Sequence, residues 1–258
     1  VGRGEGRRGE GRRGGPRHPR PGPGRGGGRP GGVAGGGVRR VWLLALRDLR
    51  LEVRDRLGVL SALAFLFVNL FVMALALGPE EGTLRRAAPG VLWVALAFLS
   101  TLLATRAFGR ETEEGTLDDL LLVPGSKEWV YFGKLLFQLL VLLPLALLAL
   151  FGAAGFFHVP LERGGALFLT LALGSLGYAS VATFYAGLLS RLRGREVLLP
   201  LLLFSLVVPV VLASVRATAG VAEGLPLGEV APWWRLLLVF DLVYVTASAL
   251  LFPLVMEG

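Results

Sequence analysis

The chain has 258 residues, of which 53% are hydrophobic and 18% charged, with a formal net charge of +8. So apolar a composition is rare in a soluble domain and points to an integral membrane protein. Cysteine is absent, which excludes disulfides, thiol catalysis and thiolate metal sites. The two histidines, His18 and His158, cannot build a zinc or bis-histidine haem site with one of them in a tail.

The positive charge belongs to one segment. Residues 1–40 hold eleven Arg and two Glu, whereas residues 41–258 hold sixteen Lys and Arg against seventeen Asp and Glu. This Gly-, Arg- and Pro-rich stretch has too little apolar surface to offset chain entropy, and we read it as a disordered tail. Its Arg-Gly character resembles RGG-type nucleic-acid segments, but the interleaved aromatics that stack on bases are missing. A solvated tail, or an upstream extension read from a misplaced start codon, suits it better. No nucleic-acid partner is expected, and no apolar run follows the arginines as in a signal peptide.

Residues 41–58, "VWLLALRDLRLEVRDRLG", carry too many charges to cross a membrane. Trp42, Leu46, Leu49, Val53 and Leu57 recur at three- and four-residue steps and form one stripe on a helix. Arg47, Arg50 and Arg54 flank that stripe, while Asp48, Glu52 and Asp55 point away from it. The pattern predicts an amphipathic helix lying in the membrane interface. A juxtamembrane stop signal and the face of a small cytoplasmic domain are the other readings.

Residues 59–258 then read as a six-helix membrane domain. A span needs about twenty apolar residues, and six stretches qualify: about 59–77, 88–107, 130–152, 166–189, 196–215 and 235–255. They show no strand-like alternation, so the fold class is all-α rather than a barrel. Counted from Arg39, thirteen Lys and Arg flank one side of these spans and five flank the other. The bias places both termini in the cytoplasm of a multi-pass protein. Trp93, Trp129, Trp233 and Trp234 lie near span ends, where indoles anchor in the headgroup zone.

Polar residues inside spans need a partner or a task. Asn69 and Gln138 can hydrogen-bond between helices. Asp241 lies six residues past Arg235, about 9 Å deeper, and is expected to face the bundle or a wet cavity. These three are candidates for an intramembrane polar site. Ser175, Ala179, Thr183 and Gly187 repeat every four residues, a small-residue stripe fit either for packing within the monomer or for a dimer seam. Pro144, Pro200 and Pro209 fall inside spans and should bend them.

Between spans two and three, residues 109–134 read "GRETEEGTLDDLLLVPGSKEWVYFGK". Gly115 frees a turn, Thr116-Leu117-Asp118-Asp119 fits a helix start signal, and Pro124 is a stop. Leu117, Leu120 and Leu121 share one face, so a short capped amphipathic helix is expected in this cytoplasmic loop. A partner pushing on it would tilt the two adjoining spans together. A solvated acidic turn is the plainer reading.

Residues 41–215 resemble the permease subunit of the cytochrome c maturation ABC transporter, the CcmB or haem exporter B family. The resemblance rests on "LALRDLRLEVRDR", on "APGVLWVALAFLSTLLATRAFGRETEEGTLDDLLLVPGSKEWVYFGKLL", and on "LGSLGYASVATFYAGLLSRLRGREVLLPLLLFSLVVPVVLAS". The Glu111-to-Leu117 core is shared by ABC-2 type permeases at large; Leu-Leu-Leu-Val-Pro and "APGVLW" point more narrowly to haem exporter B. Residues 1–37 have no counterpart there, and span six is a looser match.

The resemblance implies that Glu111, Glu113, Glu114, Gly115, Thr116, Leu117, Asp118 and Asp119 form the coupling helix against an ATP-binding subunit. The chain has no Walker A sequence, so ATP is bound by that partner and this chain is not an enzyme. A second, haem-handling membrane subunit or another copy of the chain is the further implied partner. Haem is the implied cargo of the complex, no cofactor or metal is expected in this chain, and the location is the bacterial inner membrane. His158, on the outer side, lies where haem chemistry would occur, although a lone loop histidine is ordinarily solvated. Two alternatives remain: a generic ABC-2 exporter of drugs, lipids or glycans, and a passive scaffold of an assembly complex.

Overall fold

The computed structural model describes residues 33–113, 127–190, 192 and 194–257. Among them are seven α-helices and no strand: α1 (Val33–Arg54), α2 (Arg56–Leu77), α3 (Glu81–Glu113), α4 (Glu128–Phe157), α5 (Gly164–Leu188), α6 (Arg195–Ala222) and α7 (Leu227–Glu257). Six are long and apolar enough to cross a membrane: Arg56–Leu77, Glu81–Gly109, Glu128–Phe157, Gly164–Leu188, Val197–Ala222 and Leu227–Val255. Each expected span falls within one of these helices to within a residue at either end. The helices overrun the apolar windows because backbone hydrogen bonding continues past the last apolar residue once a helix has formed.

The order of enclosure follows from the packing. α3 and α5 are the most enclosed spans, and α2 and α7 are the most peripheral. α5 packs against α3, α4, α6 and α7, while α3 also packs against α2, α4 and α6. Side chains such as Phe67, Leu201, Leu242 and Leu254 are exposed on the outside of the bundle. That belt suits a hydrocarbon solvent, where helix association rests on close packing and interhelical hydrogen bonds rather than on burial from water.

The helix ends are set locally. Asp55 alone separates α1 from α2, and its carboxylate caps α2 by accepting from the Gly58 N–H at 3.0 Å. Gly78, at φ 79°, ends α2 in a backbone conformation that side-chain-bearing residues avoid. His158 ends α4 in the left-handed region at φ 57°, where histidine is better tolerated than most residues. Its carbonyl accepts from Arg85 Nε at 3.3 Å.

α1 starts at Val33, and a Cβ on Gly37 would lie 2.3 Å from the Trp129 ring. One expectation needs correction: Trp93, expected as an interfacial anchor. It is fully buried, stacks on Tyr178 at 5.8 Å between centroids and donates Nε1–H to Thr218 Oγ1 at 2.9 Å. A neighbouring hydroxyl satisfies the indole, so it needs no headgroup water.

Candidate functional site

The expected coupling segment lies mostly outside the described residues. Glu111 and Glu113 stand in the last turn of α3; Glu114, Gly115, Thr116, Leu117, Asp118 and Asp119 fall beyond it. The structure does describe the two helices that carry this connection and the polar groups beside it.

Four helices meet at that end through charged side chains. Lys134 of α4 is almost wholly buried, with 2% of its side chain exposed, and pairs with Asp48 of α1 at 2.8 Å. It also donates to the Ala107 carbonyl of α3 at 2.8 Å and lies 5.3 Å from the Phe108 ring centroid. An ammonium so enclosed is tolerated because a carboxylate, a carbonyl and an aromatic face replace its water. Arg47 donates to the other oxygen of Asp48 at 3.0 Å.

Arg106 of α3 forms the second knot. It pairs with Glu52 of α1 at 3.6 Å and donates to the Gly58 carbonyl and Ser61 hydroxyl of α2 at 2.9 and 2.8 Å. Asp48 and Glu52, one helical turn apart, therefore face the bundle. Sequence periodicity turned both acids away from the apolar stripe but left them without partners. The missed signal is charge complementarity: two acids four residues apart before span one match a base at the same end of spans two and three. Small residues also admit α1 to the bundle, since a Cβ on Gly133 would lie 2.9 Å from Leu44 Cβ. Trp42, Val53 and Leu57 are exposed on the other side of α1–α2.

Deeper in the bundle, Gln138 links three spans. Its amide donates to the Ser100 carbonyl and hydroxyl of α3 at 3.0 and 2.9 Å, and its carbonyl accepts from Thr183 of α5 at 2.9 Å. Ser175, Ala179, Thr183 and Gly187 are all buried within the single chain. Asp241 is buried against Gly177 and Val210, where a Cβ on Gly177 would lie 2.9 Å from both Asp241 Oδ1 and Val210 Cγ1. Neither its carboxylate oxygens nor the Asn69 carbonyl has a hydrogen-bond partner among the described residues. Among the described residues, no hydrogen bond joins any two of Asn69, Gln138 and Asp241. Among the described residues, no group of three His, Asp or Glu could hold a metal ion.

With two charged knots beside the 114–126 connection, likeness to known proteins decides the family. A sequence family described as CcmB protein matches residues 39–257. The chain belongs to the CcmB protein family. Among its curated relatives is the heme exporter protein B of Paracoccus denitrificans, 39% identical over 184 residues, covering 70% of this chain and 83% of that one. The Rhodobacter capsulatus protein of the same name is 33% identical over 180 residues, covering 69% and 82%. The Haemophilus influenzae one is 34% identical over 178 residues, covering 67% and 80%. The CcmB match begins at Arg39, so it takes in the charged turns of α1 as well as all six spans.

Proposed function

We propose that this CcmB chain is the permease subunit of an inner-membrane ABC transporter in cytochrome c biogenesis. A separate ATP-binding subunit drives haem delivery, or release of a haem-loaded chaperone, on the outer side. The family match carries this reading, and the geometry supports a mechanism for it. Both termini and the 114–126 connection lie in the cytoplasm, in keeping with the arginine bias. Residues Glu111 to Asp119 contact the ATPase, and α1 lies along the inner interface with Trp42, Val53 and Leu57 toward lipid.

Force applied to the connection does not reach α3 and α4 alone. Lys134 ties α4 to α1 and α3, and Arg106 ties α3 to α1 and α2. Gln138 in turn ties α3 and α4 to α5, so the bundle shifts between two arrangements with α5 following α3 and α4. ATP binding biases the two arrangements by as much as its partner's contacts with the connection differ between them. No bond chemistry falls to this chain.

Co-purification of the complex followed by an ATPase assay tests the reading. Replacing Glu111, Glu113, Glu114, Asp118 and Asp119 with alanine should release the ATP-binding subunit or uncouple its hydrolysis from haem delivery. Full coupling in that variant refutes the coupling role, and no associated ATPase in the wild type refutes the transporter reading.

A further inference from the structure

We propose that a cleft between the start of α3 and the end of α6 binds an oxyanion, a phosphate or a carboxylate, between Arg85 and Arg86. The cleft lies at the end of the bundle away from the 114–126 connection. It encloses about 360 Å³ and is lined by Gly82, Arg85, Arg86, Ala219, Ala222 and Glu223. Its volume comes from small residues: a Cβ on Gly82 would meet nothing nearer than Glu80 Oε1 at 3.9 Å.

The charged walls are left unsatisfied by the protein. The Arg85 Nε bond to the His158 carbonyl holds the stem of that side chain and leaves its two terminal amino groups available. The Arg86 side chain makes no hydrogen bond or ion pair among the described residues, and neither does the Glu223 carboxylate, although all three residues line the same cleft. An acid and two bases sharing a cleft ordinarily collapse onto each other; here they stand apart, with room between them for a ligand. Two guanidinium groups against one carboxylate leave a positive lining, and guanidinium geometry matches the paired oxygens of a phosphate or carboxylate. The first-turn amides of α3 add positive potential beside Gly82. Glu80 is turned back to accept from the Thr83 hydroxyl at 2.7 Å, and neither it nor Glu81 lines the cleft. Where the ligand is zwitterionic, Glu223 meets its cationic group. The oxyanion belongs either to a phospholipid headgroup at this membrane boundary or to a soluble molecule.

The test is calorimetric titration of the full chain in neutral detergent with dihexanoylphosphatidylglycerol, glycerol phosphate and succinate. Arg86→Gln, which disturbs no bond within the protein, should weaken binding about tenfold, and the R85Q/R86Q pair should abolish it. Glu223→Gln should tighten binding of the same anions, an opposite sign that general unfolding cannot produce. Binding of the lipid probe alone identifies a headgroup site; equal binding of glycerol phosphate or succinate identifies a soluble ligand. The site is overturned if no probe binds, or if every probe binds the wild type and the R85Q/R86Q variant equally.

Discussion

Lys134 and Asp48 meet at 2.8 Å across two helices, and both side chains are buried. Removing one partner strands the other charge. Asp48→Ala should therefore destabilise the chain by roughly 3–5 kcal/mol, whereas a volume-matched apolar pair, D48L/K134M, should recover most of that loss. Thermal melts of the purified chain in detergent measure both. If D48A melts like the wild type, the pair does not hold α1 to the bundle.

The Gln138 chain should behave as a unit. Gln138→Leu leaves the Thr183 and Ser100 hydroxyls without their interhelical partner and should cost about 1–3 kcal/mol. In a double-mutant cycle with Thr183→Val, the combined loss should be smaller than the sum of the single losses. Strict additivity would mean that the 2.9 Å bond between them contributes nothing.

Close approach of α5 to its neighbours gives a steric prediction. A Cβ on Gly174 would lie 2.2 Å from the Trp93 ring and 2.6 Å from Ser214 Oγ. Gly174→Ala should therefore destabilise by about 1–3 kcal/mol and shift the emission of the buried Trp93. Gly155→Ala, on α4 with nothing within 4 Å, is the matched control and should be neutral or slightly stabilising.

Topology can be read without background, because the chain has no native cysteine. Arg54→Cys, at the end of α1, should react with a membrane-impermeant maleimide only after the cell is opened. Glu162→Cys, between α4 and α5, should react in intact spheroplasts. The reverse pattern would invert the proposed orientation.

The spans were legible because length and apolarity alone specify a membrane helix, whatever it packs against. Gln138 was legible as interhelical glue for the same reason: an amide in hydrocarbon must find a partner. Asp48 and Glu52 were misleading. In a helix with one apolar stripe, periodicity assigns polar residues to water, and it carries no information that Lys134 and Arg106 return to the same place from other helices. Trp93 misled similarly, since nearness to a span end says nothing about which way the indole faces. The Gly37 and Gly133 approaches of α1 could not be foreseen either, because a glycine's neighbours depend on tertiary placement.

Asp55 is the lone residue between α1 and α2, and its carboxylate is already bonded to the Gly58 amide. Two rigid rods joined this tightly have no slack. A displacement of α1 must be taken up at once by the angle of α2 to the rest of the bundle. Lengthening that joint by a few flexible residues would let α1 stay docked while α2 stood still.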